Sequence, residues 1–207
     1  MSTISIIGSG GMAAAIGGRA AKAGHTVEVI GRDPAKAKKL ADQLSAGATT
    51  GTYGASPAGD IVILAVPYGS AVAVVAEYGD ALAGKVIVDV TNPISADATS
   101  LVTPPGSSGA QEIAKAAPAN APVAKALNTL FGHVLVKDGS LDAFVAADDP
   151  EAKARVSRFI DSLGLRSFDV GGLYMAHALE SVGLLLIGVA KHGAGTFDIA
   201  FGVDLDR

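Results

Sequence analysis

Apolar residues in this chain cluster in short unbroken runs rather than alternating with polar ones. The runs predict strands near residues 4–7, 26–30, 60–66, 85–91, 122–128, 142–146 and 165–169. Segments such as IVILAV and KVIVDV have no polar face to offer water, which predicts strands buried on both sides. Between them lie alanine-rich stretches with helical spacing. Strand alternating with helix predicts an α/β fold, a doubly wound parallel sheet with helices on both faces.

Local punctuation fixes several boundaries. Met12 to Ala23 reads as the first helix. Asp33-Pro34 reads as an N-cap followed by proline at the first helical position. Residues 49–54, rich in Thr and Gly, fit either a short strand or a loop, and 104–109 (PPGSSG) reads as a mobile connection before a helix at 110–117. Asp148-Asp149-Pro150-Glu151 opens another helix that Gly164 stops. After Gly171-Gly172 the pattern becomes one apolar helix over 173–190 and then a glycine-broken tail. No internal repeat is present. The expected organisation is a sheet domain over residues 1–171 and a helical extension over 172–207 that completes the cleft and forms a dimer interface.

The chain has 207 residues, 49% of them hydrophobic, enough for one substantial core. A net charge of −4 without basic runs argues against nucleic acid or an anionic membrane as partner, leaving a small molecule. With no cysteine, thiolate chemistry and disulfides are excluded, in keeping with a cytoplasmic location. No export signal is evident before the first strand. The most lipid-like run, 182–190, is far shorter than the ~20 residues of a membrane helix and is flanked by His177, Glu180, Lys191 and His192.

The first strand runs directly into Gly8-Ser9-Gly10-Gly11-Met12-Ala13. Gly8 permits the tight turn, Gly10 lets backbone approach a diphosphate, and Ala13 is small enough for close strand–helix packing. The diphosphate then meets the unpaired N–H groups at a helix N-terminus. This is a dinucleotide-binding, Rossmann-type signature. The end of the second strand selects the dinucleotide. A carboxylate there would hold a ribose 2′-hydroxyl, but the chain places Gly31 and then Arg32, with Lys36 one helical turn on. Glu28 lies within the strand and Asp33 is occupied as a cap. Arg32 can fork onto phosphate oxygens and stack on adenine, so the expected coenzyme is NADP(H).

In such sheets ligands lie beyond the carboxyl ends of the strands, which nominates Val66, Pro67 and Ser70, then Asn92 and Pro93, then Asn128 and Gly132. For Ser70 and Asn92 a structural role, as a helix cap and in a turn, is as good a reading as contact with the cofactor. His25 and His177 read as structural, whereas His133 and His192 are open candidates. No metal-ligand set and no nucleophile elbow is recognisable, and no residue is assigned a catalytic role. That suits hydride transfer between a nicotinamide and a second ring, in which the protein mainly aligns two carbons about 3–3.5 Å apart.

Taken in order, GSGGMA, GRDPAK, DIVILAVPYGSA, KVIVDVTNP, KALNTL and the final apolar helix resemble the coenzyme F420-dependent NADP oxidoreductases. The resemblance implies hydride exchange between NADP(H) and a deazaflavin. It also implies that Ser9, Gly10, Gly11 and Met12 hold the diphosphate, that Gly31, Arg32 and Lys36 bind the 2′-phosphate, and that Val66, Ser70, Asn92 and Gly132 lie along the ribose and nicotinamide. The deazaflavin would stack in a cleft between residues 128–133 and the C-terminal segment. Two positions depart from the family: Gly31 stands where Ser is common, and Asn128 where some deazaflavin reductases carry His. KALNT is also similar to the cytoplasmic domains of ferric reductases that pass hydride from NADPH to FAD. The alternatives are therefore reduction of FMN, FAD, a quinone or an imine, or an NADP(H)-binding regulatory module without turnover. The apolar final helix predicts a homodimer.

Overall fold

The computed structural model describes residues 2–44, 47–137 and 139–205. β1 (Thr3–Ile7), α1 (Gly11–Lys22), β2 (Thr26–Ile30), α2 (Pro34–Leu44) and a two-residue β3 (Thr49–Thr50) form the first half. The second half contains β4 (Ile61–Leu64), α3 (Tyr68–Tyr78), β5 (Val86–Asp89), α4 (Gly109–Ala116), β6 (Val123–Lys125) and the single turn α5 (Gly132–Leu135). It continues through β7 (Asp142–Ala147), α6 (Pro150–Ser162), β8 (Arg166–Gly171) and α7 (Ala176–Gly188). All eight strands join one sheet in the order β3-β2-β1-β4-β5-β6-β7-β8. From β1 the chain first moves outward to β2 and β3, then crosses back to β4 on the other side. The reversal leaves a crevice beyond the carboxyl ends of β1 and β4.

Burial accounts for the strands. Ile4 and Ile6 face a core layer with Ile16, Leu40, Val156 and Phe159, while Ile7, Val62 and Leu64 face a second with Val74, Leu82 and Ile113. Each strand thus needs apolar residues on both faces, and the runs are continuous for that reason. Helix starts follow local chemistry. The Asp33 carboxylate accepts from the N–H groups of Ala35 (3.0 Å) and Lys36 (3.2 Å), and Asp149 accepts from Ala152 N–H (2.7 Å) with Pro150 next.

Three expectations need correction, and one open alternative is settled. The sheet is not wholly parallel: β7 pairs antiparallel with β6, and β8 runs parallel to β7, so the last two strands are reversed. Residues 49–50 are a strand, paired with Glu28 and Val29 of β2. The 104–109 segment ends packed rather than loose, with Ser107 and Ser108 buried and the Ser108 hydroxyl capping α4 at Gln111 N–H. Finally, helical backbone runs from Leu173 to Ala194, 22 residues of mean hydropathy 1.6, which is long and apolar enough to cross a membrane by length and composition. Here it is docked on the sheet layer through Leu173, Ala176, Leu179 and the fully buried Glu180.

Candidate functional site

The glycine turn carries out the geometry its sequence implies. Gly8 has φ +132°, and a Cβ there would lie 2.1 Å from the carbonyl oxygen of Ala65, so β1 and the exit of β4 approach too closely for any side chain. At Gly10 and Gly11 a Cβ would meet nothing within 4 Å; the space above the turn is open. Gly10 caps α1 without a side-chain bond, so the first N–H groups of α1 face that space as free donors with the positive end of the helix dipole behind them. Ala13 is fully buried against the sheet.

Beside the turn lies a cavity of about 240 Å³, lined in part by Gly8, Ser9, Gly31, Arg32, Tyr53 and Pro67, with Val66 and Ser70 completing its wall. Seven of the nominated residues thus share one pocket. Lys36 is not in its lining; its ammonium sits 3.7 Å from Asp33 on the exposed side of α2. Ser70 lies in the first turn of α3 and does not cap it, since Pro67 holds that position. Gly31 is not demanded by sterics, because a Cβ would come no nearer than 3.4 Å to its surroundings. Glu28 faces away from the pocket, buried and bonded to the Ser5 hydroxyl and Ala58 N–H.

The remaining nominated residues gather at the ends of β5 and β6. Asn92 donates from Nδ2 to the Asn128 carbonyl (2.8 Å). Asn128 donates from its own Nδ2 to Asn92 Oδ1 (2.9 Å) and to the Leu179 carbonyl on α7 (2.8 Å). Neither residue is a simple turn former: together they tie two strand ends to α7. The Oδ1 of Asn128 and the hydroxyls of Thr91 and Thr129 are buried without a partner, unpaired polar atoms at the strand ends of this crevice. Gly132 starts α5 against the glycine turn, its Cβ position 3.4 Å from Gly11 O. The Pro93 carbonyl accepts from Val102 N–H (2.7 Å), closing the excursion that follows β5.

Two features escaped the sequence reading. The first is Tyr53, which follows β3: its ring packs edge-on against Tyr78, centroids 5.3 Å apart, and its hydroxyl meets Arg32 and Glu77. The second lies beneath the crevice. Lys125 is fully buried, with Nζ 2.8 Å from Asp89 and 3.0 Å from Glu180, both also fully buried. Lys125 also donates to the Thr91 carbonyl, while Asp89 accepts from Thr91 N–H (2.8 Å), so the backbone before Asn92 is clamped on both sides. Glu180 further accepts from Gly109 (3.0 Å) and Ala110 (3.3 Å) N–H at the start of α4, where the helix dipole favours its charge. Two carboxylates, Asp89 and Glu180, thus lie in the interior with a buried cation between them. A charge inside each of the apolar strings VIVDV, VAKAL and HALESV was the signal available.

The histidines divide as follows. His25 is buried in the α1–β2 turn, accepting from Ser2 N–H and meeting the Ser162 hydroxyl at 2.7 Å, and burial pushes its pKa below 6.5. His177 meets the Ser107 carbonyl at 3.2 Å, a structural contact. His192 is exposed on the π-helical stretch Val189–Ala194 that continues α7. His133 stacks on Phe131 and bonds the Phe197 carbonyl at 2.9 Å, bringing the tail over the 131–133 loop. Further along, the Arg166 fork holds Asp142 and the Val203 carbonyl, fixing the tail against β7 and β8.

Sheet order, reversal point and glycine turn together define a Rossmann-type doubly wound α/β protein with a C-terminal helix. The family described as NADP oxidoreductase, coenzyme F420-dependent matches residues 3–93. The F420-dependent NADP reductase of Methanothermobacter marburgensis is 29% identical over 203 residues, covering 87% of this chain and 88% of that one. This chain is thus similar to the F420-dependent NADP oxidoreductases, by the family pattern over residues 3–93 and by the reductase relative over most of its length. It is also 28% identical over 187 residues to the metalloreductase STEAP3 of Rattus norvegicus, which covers 89% of this chain; the chain spans only 37% of that protein's length. A crystal structure of a putative F420-dependent NADP-reductase from Arthrobacter sp. FB24 superposes with a TM-score of 0.87 at 24% identity, covering 99% of this chain and 100% of that one, a likeness of fold.

Proposed function

We propose that the protein transfers hydride between NADP(H) and a deazaflavin, coenzyme F420. The observation that carries the coenzyme half is the pocket at the end of β2, where the guanidinium of Arg32 stands in place of a ribose-binding carboxylate beside an open glycine turn. The residues fit the group. Open space over Gly10 and Gly11 leaves room for a diphosphate, free N–H groups of α1 supply its donors, and the apolar wall of Val66, Pro67 and Val74 suits an adenine face. Bound NADP(H) supplies a hydride donor or acceptor at its nicotinamide ring.

The chain's own part is alignment. Asn92 and Asn128, locked to each other and to α7, form a fixed floor at the strand ends, and the buried unpaired oxygens there suit a carboxamide donor. Residues 131–133 and the tail form the opposite wall and limit water access. In the reducing direction, hydride and one solvent proton pass to the deazaflavin as NADPH becomes NADP+.

The deazaflavin is the acceptor that the similarity to the F420-dependent NADP oxidoreductases supports. A flavin acceptor is the second reading, favoured by the KALNT motif and the match to the metalloreductase over 89% of this chain. The test mixes the protein with NADPH and, separately, F420, FMN and FAD, and follows loss of each acceptor's visible absorbance. Turnover of F420 at a rate well above the flavins supports the proposal; turnover of a flavin with none of F420 replaces it with the second reading.

A further inference from the structure

Resting on the NADP(H) reading above, we infer that Tyr53 is a specificity-determining residue, holding Arg32 in the orientation that grips the 2′-phosphate and relaying to it the negative charge of Glu77. Three observations carry this. Arg32 Nε donates to the Tyr53 hydroxyl at 3.2 Å, and that hydroxyl donates onward to Glu77 at 2.8 Å. The guanidinium also lies 5.7 Å from the centre of the Tyr53 ring. Among the described residues, neither outer nitrogen of Arg32 has a hydrogen-bond partner.

The arrangement suits a phosphate better than a hydroxyl. An exposed arginine loses much rotamer freedom on gripping a ligand, and that cost reduces its affinity. With Nε committed to Tyr53 and the planar group held beside the ring, part of this ordering precedes binding. The Nη pair is left for bidentate contact with phosphate oxygens. Glu77 contributes through the chain: its carboxylate polarises the Tyr53 O–H, making the oxygen a stronger acceptor for Nε–H. Standing behind Tyr53, the acid supports Arg32 without occupying the phosphate position. Tyr53 itself is fixed from behind by the buried Tyr78, so Tyr53 and Arg32 form a braced wall of the pocket rather than a loose surface contact.

The test compares the wild-type protein with Tyr53→Phe and Glu77→Gln, titrating each with NADPH and with NADH by nicotinamide fluorescence. Tyr53→Phe keeps the ring and its packing on Tyr78 and removes only the hydroxyl. The expected result is a Kd for NADPH raised about 5- to 20-fold, with NADH changed less than about twofold, and a smaller shift in the same direction for Glu77→Gln. Adenosine 2′-monophosphate, used as a probe of the corner alone, should lose affinity by the same factor as NADPH. Equal losses for NADPH and NADH, or no change for either, overturn the inference while leaving the coenzyme assignment standing. A wild-type protein that binds the two coenzymes equally overturns the coenzyme reading itself, and the role of Tyr53 with it.

Discussion

Replacing Lys125 with methionine removes the one cation among three fully buried ionic groups while keeping similar length and volume. Lys125 Nζ holds Asp89 at 2.8 Å, Glu180 at 3.0 Å and the Thr91 carbonyl, and none of the three charged side chains has any exposed surface. The variant strands two carboxylates and a carbonyl in the interior. Breaking a buried ion pair by deleting one partner costs about 3–5 kcal/mol, against a total stability of about 5–15 kcal/mol for an ordinary domain. For a chain of this size about 2–4 °C of Tm is lost per kcal/mol, so thermal unfolding should shift down by roughly 6–20 °C. Circular dichroism melts and urea unfolding measure it. The companion variant Asp89→Asn/Lys125→Met/Glu180→Gln removes all three charges and keeps acceptors for Thr91, Gly109 and Ala110 N–H. It should recover at least half of the loss, because the cost arises from uncompensated charge. A Lys125→Met protein within about 1 kcal/mol of wild type refutes the reasoning. So does a triple variant as unstable as the single one, since packing would then be the cause.

Two further outcomes follow from the same geometry. Gly8→Ala should lose about 3 kcal/mol or more in urea unfolding, since the new Cβ would sit 2.1 Å from the Ala65 carbonyl in a positive-φ conformation; near-wild-type stability would contradict the close approach of β1 and β4. His25 is held neutral by burial, its pKa below the usual 6.5, so the unfolded chain takes up the proton first on acidification. Stability should therefore be level above pH of about 7.5 and fall as pH drops through the unfolded value, a slope that His25→Gln should reduce in melts from about pH 8 to 5. An unchanged slope in that variant would sink the assignment.

Much of the fold was legible because burial on two faces leaves a direct mark. β4 is an unbroken apolar run, β1, β2 and β5 are apolar runs with Ser5, Glu28 and Asp89 as their only buried polar positions, and Asp33 and Asp149 signal their helices by chemistry local to a few residues. The reversal of β7 and β8 left no such mark: a strand covered on both sides reads alike in either direction, and its orientation depends on how residues 126–141 route the chain. The site divides in the same way. The glycine turn and Arg32 are contiguous motifs, whereas Tyr53 acquires its meaning from residues 21 and 24 positions away, in a segment whose composition fits strand or loop. Lys125, Asp89 and Glu180 each interrupt an apolar string, but separations of 36 residues and more conceal that they meet in one buried ion cluster. The length of the last helix was underestimated because glycines and His192 interrupt the apolar run without ending the helical backbone.

The central claim is that the end of β2 reads a phosphate on the adenosine ribose. Isothermal titration of the wild-type protein and Arg32→Ala with NADPH and NADH tests it most directly. The account predicts that the wild type binds NADPH at least about tenfold more tightly, and that Arg32→Ala loses about 10- to 100-fold for NADPH, as for a charge-assisted bidentate contact, while NADH is almost unaffected. Equal wild-type affinities, or an Arg32→Ala protein that still prefers NADPH by the original factor, would contradict it.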